Sequence, residues 1–318
     1  MAKMKSNPTV SVVIPTYNRA HLIGRTIQSV LNQTYHDFEV IIVDDGSTDN
    51  TEEVVRSFKD PRICYIRHKE NRGAPFARNY GAKIANGEYI SLLDSDDYYL
   101  PNKLTVQIDA FKSDSDAGLV YSNVLEERSN TKRRIKYDPK TFESGYLFEK
   151  IVSKSVHCRL PTWLIRREFF ISIGGFDEKL PRLQDRDFIV RFSYRYKLLG
   201  VPEPVAVVVF HKGTRVSGAS AKVNEYACNR VLYKISRLVE EGNHSPDLIK
   251  QMTSLYNSVI AKSYLKEGNF SKARYYFLKA LSSNPLNYKV YPYLISSINK
   301  NLYCLMKKAK SISTKGFR

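Results

Sequence analysis

Residues 87–101, GEYISLLDSDDYYLP, decide how the rest of the chain is read. The apolar run at 89–93 has the length and composition of a buried strand. Asp94, Asp96 and Asp97 follow it within four residues. Carboxylates packed this closely repel one another, so a fold seldom leaves them at a strand end without a counter-charge. A hard divalent cation supplies one. Mg²⁺ or Mn²⁺ takes oxygen ligands from one or two carboxylates and keeps positions open for substrate phosphates. A solvated acidic turn capping the helix that Pro101 starts is the other reading of the same residues.

Outward from this segment, strands and helices alternate. Residues 10–14 (VSVVI) form a first predicted strand, stopped by Pro15-Thr-Tyr-Asn18, and Leu22, Ile23, Ile27, Val30 and Leu31 then share a helix face. A second strand at 38–43 ends in Asp44-Asp45-Gly46-Ser47-Thr48-Asp49. A helix at 50–59, a strand at 62–66 and a helix at 73–85 lead back to 89–93. This order predicts a parallel, doubly wound sheet with ligands outside the carboxyl ends of the strands.

Those ends carry residues suited to a nucleotide diphosphate. Tyr17 can stack on a base, Asp45 can accept a hydrogen bond from a base imide, and Arg78 can meet a phosphate or sugar hydroxyl in a two-pronged bond. Singly, each has a plain alternative: a core aromatic, a turn former beside Gly46, a surface helix residue. Their coincidence at consecutive strand ends favours the site.

Four segments then carry a resemblance. Residues 11–19 (SVVIPTYNR), 43–49 (VDDGSTD), 71–79 (NRGAPFARN) and 93–97 (LDSDD) are similar in order and spacing to the inverting nucleotide-sugar glycosyltransferases of family two. The resemblance spans about the first two thirds of the chain and implies an α/β GT-A fold, a doubly wound mixed sheet. It implies that Tyr17 and Asp45 hold the base, usually uracil, and that Arg78 lies near the phosphates, with Pro15, Asp94 and Ser95 completing the donor site. It also implies that Asp94-Ser95-Asp96 is an Asp-x-Asp metal motif for Mn²⁺ or Mg²⁺, with Asp96 the direct ligand. No Gly-rich phosphate loop is present, so metal and Arg would neutralise the phosphates.

The acceptor side comes next. A strand at 118–125 and the segment 126–136, with Arg128, Lys132, Arg133, Arg134 and Lys136, predict a hairpin with a basic edge. That edge either meets an anionic acceptor or blocks edge aggregation. Residues 174–178 (GGFDE) and 183–191 (LQDRDFIVR) are similar to the acceptor half of the same family, which makes Asp185 the expected catalytic base. Asp187 and Arg191 are supporting candidates. Helix capping alone would also justify an acid at Asp185. His211 lies where some relatives have a His near the metal, within a loose match.

Composition bounds the whole. The 318 residues, with 22 Tyr and 15 Phe, can fill a sizeable core. Cys64, Cys158, Cys228 and Cys304 are widely spaced, which fits a reducing compartment and neither a disulfide framework nor zinc. There is no run of ~20 apolar residues and no signal-peptide pattern, so a cytoplasmic protein is expected. Of the net +18, residues 221–318 hold +12, from 17 Lys and Arg against 5 Asp and Glu. Such a basic third points to an anionic partner: a membrane surface, nucleic acid or an acidic glycan. With a glycosyltransferase resemblance, peripheral contact with an anionic membrane is the expectation and nucleic acid is not.

The expected organisation is a glycosyltransferase domain at 1–220, with its nucleotide-sugar and metal half at 1–117 and its acceptor half at 118–220. A basic helical domain follows at 221–318. In the latter, Ile260, Ala261, Tyr264, Gly268, Ala273, Phe277, Ala280 and Pro285 fall at tetratricopeptide spacing. The helix at 288–306 has a stripe of Tyr291, Ile295, Ile298, Leu302, Leu305 and Met306, whose first half is expected to pack on that repeat. Lys307, Lys308, Lys310, Lys315 and Arg318 then offer a contact for an anionic leaflet.

The reading is thus a metal-dependent inverting enzyme that moves a sugar from a UDP-sugar to a glycan or lipid-linked hydroxyl in surface-glycan assembly. A protein or soluble acceptor is the alternative. A nucleotidyltransferase would show a Gly-rich basic loop after the first strand, and 15–18 has none. An inactive adaptor working through the repeat would not need Asp45, Asp94, Asp96 and Asp185 together.

Overall fold

In the computed structural model, residues 8–128, 131–135, 142–210, 219–298 and 301–304 are described, without the side chains of 128 and 131–135. His211, the basic-edge side chains of Arg128, Lys132, Arg133, Arg134 and Lys136, and the tail from Leu305 lie outside them. The chain divides into two compact units, Met1–Lys179 with Gln184–Gly213, and Leu180–Leu183 with Thr214–Arg318.

The first unit begins with the expected alternation: β1 Val10–Thr16, α1 Ala20–Leu31, β2 Phe38–Asp44, α2 Thr51–Ser57, β3 Ile63–Arg67, α3 Ala74–Ile84 and β4 Tyr89–Leu92. β1 runs parallel to β2 and β4, and β2 parallel to β3. Every residue of β1, β2 and β4 is buried, which is why these strands read as unbroken apolar runs rather than alternating ones. α3 lies close on the sheet at Gly81, where a Cβ would come within 2.4 Å of Val13 Cγ1.

Beyond β4 the sheet becomes mixed. β5 Tyr98–Tyr99, α4 Lys103–Ser113, β6 Ala117–Arg128, β7 Thr131–Ile135, α5 Phe148–Val152, β8 Leu164–Arg166, α6 Arg167–Ser172, α7 Gln184–Arg195 and β9 Lys197–Phe210 follow. β8 slots antiparallel between β4 and β6, and the sheet order is β3-β2-β1-β4-β8-β6-β9-β5, with β7 hairpinned on β6. β9 lies outside the sequence reading, since Gly200, Pro202 and Pro204 interrupt it. Its ladder with β6 absorbs them through register shifts around Asn123.

α4 buries a lysine. Lys103 is fully inaccessible, and its Nζ donates to Gln107 Oε1 (2.5 Å) and to the Trp163 carbonyl (3.3 Å). Burial pushes its ammonium well below the usual lysine range. Between that depressed pKa and the unfolded value near ~10.4, the unfolded chain holds a proton that the folded one lacks. Stability should therefore rise with pH across that window, by at most about 1.4 kcal/mol per pH unit. Urea unfolding at several pH values should show this slope in the wild type and its loss in Lys103→Met. Parallel slopes in the two proteins would contradict a neutral Lys103.

The second unit is helical: α8 Ala221–Glu241, α9 Pro246–Lys266, α10 Phe270–Ser283, a 3₁₀ turn Tyr288–Val290 and α11 Tyr291–Ser296. α9 and α10 form the repeat hairpin, with Ile260, Ala261, Tyr264, Ala273, Phe277 and Ala280 buried. Gly268 supplies the left-handed turn (φ +80°) and Asn269 caps α10 through the Lys272 amide. Asn224 of α8 accepts a hydrogen bond from Arg182 and donates to Ser263 Oγ at 2.9 Å. One expectation is overturned here. Tyr291, Ile295 and Ile298 are largely exposed, Tyr291 meeting the repeat through its hydroxyl on the Pro285 carbonyl (3.0 Å), while Ser296 and Ser297 are buried and Tyr293 stacks on Phe277. No helix among the described residues is long and apolar enough to cross a membrane.

Candidate active site

The carboxyl ends of β1, β2 and β4 open on one set of loops. Asn18, at φ +52°, donates its amide to Ser47 Oγ (2.8 Å), and its side-chain oxygen accepts the Thr48 amide (2.8 Å). Asp44 at the end of β2 accepts from the Ser47 amide and the Tyr65 hydroxyl. The carboxylate of Asp45, almost wholly buried, accepts from the backbone amides of Arg72 (2.9 Å) and Gly73 (2.6 Å). Asp45 therefore pins the loop that precedes α3, a role the sequence did not disclose. Tyr17 is 41% exposed beside this clamp, while Pro15 is buried within β1 opposite Val43.

His68 was missed entirely by the sequence reading. Its Nδ1 lies 3.7 Å from Asp45 Oδ1, its ring is edged by Phe76 and Tyr80, and neither nitrogen has a partner. Thr16 Oγ1 and Arg78 Nε are likewise buried and unpartnered. Orphaned buried polar atoms are uncommon enough to require an explanation, and a ligand or ordered water is the usual one.

After β4, Asp94, Asp96 and Asp97 place one carboxylate oxygen each within 4.8 Å of the others. The turn is held from behind. Thr26 Oγ1 donates to the carbonyls of Ser95 (3.1 Å) and Asp97 (2.7 Å), and Asp97 Oδ1 accepts the Val209 amide (2.9 Å). Ser95 is buried there, and β9 thus supports the acidic turn. Arg78, only 6% exposed, gives Nη2 to Asp94 Oδ1 at 2.5 Å, with its guanidinium over the Phe176 ring. It neutralises one carboxylate. Three hard oxygens at this separation fit Mg²⁺ or Mn²⁺, and a cation would balance the charge that Arg78 leaves.

The 174–178 turn joins this corner to α7. Asn79 of α3 donates to the Phe176 carbonyl (2.9 Å) and to Glu178, and accepts the Phe176 amide (2.8 Å). Phe176 in turn packs on Phe188 of α7, ring centroids 4.9 Å apart. Arg191 binds Asp187 through Nε (2.9 Å) and Nη2 (2.7 Å) and donates to the carbonyls of Ile173 and Gly175. Arg191 therefore holds Asp187, not Asp185. Asp187 is 1% exposed, whereas Asp185 is exposed in the first turn of α7. The residue two before it, Leu183, sits at φ +62°, a conformation that costs a side chain of this size on the order of 1–3 kcal/mol. Burial pushes the Cys158 thiol well up, and the nearby Asp185 carboxylate adds to that.

Comparison with known proteins places this architecture. An uncharacterized glycosyltransferase of Rickettsia typhi is 39% identical over 198 residues, 59% of this chain and 61% of that protein. The putative colanic acid biosynthesis glycosyl transferase of Escherichia coli K12 is 36% identical over 200 residues, 61% of this chain and 69% of that one. The chain spans less than two thirds of the length of the first of these relatives. Among solved structures, S. aureus TarS 1–349 in complex with UDP-GlcNAc superposes with a TM-score of 0.57 at 20% identity, over 91% of this chain and 79% of that one. Likeness at that identity shows the fold: an α/β GT-A sheet together with a helical region. The family model for glycosyl transferase family 2 matches residues 11–174, from β1 through the acidic turn to the start of the Gly174–Gly175 bend, and on that match, just over half of the chain, the protein belongs to this family.

Proposed function

We propose that the chain transfers one sugar from a UDP-sugar to a hydroxyl acceptor with inversion, in the assembly of a cell-surface polysaccharide. The observation that carries this reading is the three-carboxylate cluster at the end of β4 with Arg78 on its edge. Asp96 and its neighbours would hold Mn²⁺ or Mg²⁺, which when bound stabilises negative charge on a departing diphosphate. Arg78 acts through Asp94, fixing that carboxylate, rather than as a free phosphate clamp. Asp45 meets the base imide with lone pairs left over from its two amide bonds, and Tyr17 stacks on the base. Pro15 and Ser95 shape the site from buried positions.

On the acceptor side, Asp185 takes the hydroxyl proton as that oxygen bonds to the anomeric carbon and the bond to the diphosphate breaks. Asp187 is unsuited to this, being buried and doubly bonded to Arg191. The colanic acid relative and the UDP-GlcNAc complex support the polysaccharide setting and the uridine donor. A glycan or lipid-linked acceptor and peripheral contact with an anionic membrane complete the proposal.

Asp96→Asn removes a hard anionic ligand from a half-buried turn and keeps the side chain's size. Calorimetry of UDP binding with Mn²⁺ should show at least about a tenfold loss of affinity, since even outer partners of metal ligands cost this much. Melting should stay near wild type. Unchanged, still Mn²⁺-dependent affinity would remove Asp96 from the site.

A further inference from the structure

α11 leaves an apolar stripe in solvent. The 3₁₀ turn Tyr288–Val290 runs directly into it, so Tyr288, Tyr291 and Ile295 share one helical face, and Ile298 follows just past the helix end. They are 73%, 44%, 56% and 55% exposed, and Leu286 just before them is 87% exposed. The opposite face buries Val290, Ser296 and Ser297, and half-buried Tyr293 stacks on Phe277 of the repeat with ring centroids 6.0 Å apart. The buried hydroxyls satisfy themselves on the preceding turn, Ser296 Oγ on the Tyr293 carbonyl (2.8 Å) and Ser297 Oγ on the Leu294 carbonyl (2.6 Å). A helix that buries its serines and presents its isoleucines is built to meet something apolar.

Charge identifies the occupant. Residues 268–318 contain ten Lys and Arg and no Asp or Glu. Lys289 sits on this same turn, its Nζ 6.0 Å from the Tyr288 ring. A second copy of the face would bring two such cationic segments together with no acid to offset them. Residues 305–318, which follow in sequence, hold five of the ten cations and no acid. An anionic lipid surface satisfies both features: aliphatic side chains enter the acyl boundary, tyrosines sit at headgroup level, and lysines meet the phosphates.

We propose that Leu286, Tyr288, Tyr291, Ile295 and Ile298, flanked by Lys289, form a docking face for an anionic membrane leaflet. This rests on the helical unit alone and does not depend on the assignment of the catalytic residues. Cosedimentation of the full chain with phosphatidylglycerol vesicles and with phosphatidylcholine vesicles tests it, using Ile295→Ser/Ile298→Ser as the variant. Both side chains are exposed, so melting and UDP release from donor should be unchanged. The wild type should pellet with phosphatidylglycerol and at least about tenfold less with phosphatidylcholine, and the double variant should lose about tenfold or more of its vesicle binding.

Three results would overturn the proposal. One is equal pelleting of variant and wild type. Another is equal binding of the wild type to both lipids. The third is a wild-type dimer that ignores vesicles and becomes monomeric in the variant, which would assign the face to a second copy.

Discussion

Asp185→Asn should lower turnover by roughly 10²–10⁴-fold while leaving donor binding and melting near wild type. The side chain is exposed in the first turn of α7, so it carries little of the fold. As a charge near a helix N-terminus it contributes about 0.3–1 kcal/mol, and asparagine keeps its shape and much of its hydrogen bonding. What asparagine cannot do is accept a proton. UDP release from UDP-GlcNAc or UDP-glucose with Mn²⁺, with water as acceptor, reports the loss, because water needs the same base. UDP affinity by calorimetry should stay constant, since Asp45, Arg78 and Asp96 are untouched. A variant that binds UDP normally and releases it at near wild-type rate would defeat the base assignment. That outcome would not move the role to Asp187, whose carboxylate is already buried against Arg191.

The first half of the fold is legible because its physics is local. β1, β2 and β4 are buried on both faces, so each appears as an apolar run, and each run stops where the chain turns polar at a carboxyl end. Spacing between such runs constrains the parallel order. The site residues at these ends are legible for the same reason: Tyr17, Asp45 and Asp94 each follow closely on one of these strands.

What was not legible depends on partners distant in sequence. β9 carries Gly200, Pro202 and Pro204, which argue against a strand until β6 is present to take up the register shifts. Arg78 reads as a phosphate clamp until Asp94, sixteen residues on, is seen to hold it. His68 looks like an unremarkable strand end, and only the fold brings it against Asp45, Phe76 and Tyr80. α11 misleads in the opposite sense. Its apolar stripe has core spacing, yet its neighbours bury the serine face, and no pattern within one helix states which side the rest of the domain covers.

Arg191→Met should be the most destabilising of these substitutions, and it separates holding a helix from holding a proton acceptor. The guanidinium makes four bonds, two to Asp187 and one each to the carbonyls of Ile173 and Gly175. Asp187 is 1% exposed, so removing its partner leaves a buried carboxylate uncompensated, at a cost of about 3–5 kcal/mol. For a unit of this size that corresponds to a fall in melting temperature of roughly 6–20 °C. Replacing both residues, with Asp187→Leu added, removes the stranded charge and should recover much of the loss. Activity should not recover in parallel, because the bend at 174–176 loses its anchor. That bend carries Phe176, which connects Arg78 to Phe188 on the helix of Asp185. Urea unfolding and UDP release measured on wild type, Arg191→Met and the double variant decide the matter. If Arg191→Met melts within about 2 °C of wild type, the pair is not the clamp that its geometry indicates. If stability and turnover return together in the double variant, Arg191 serves the fold alone and has no part in placing α7.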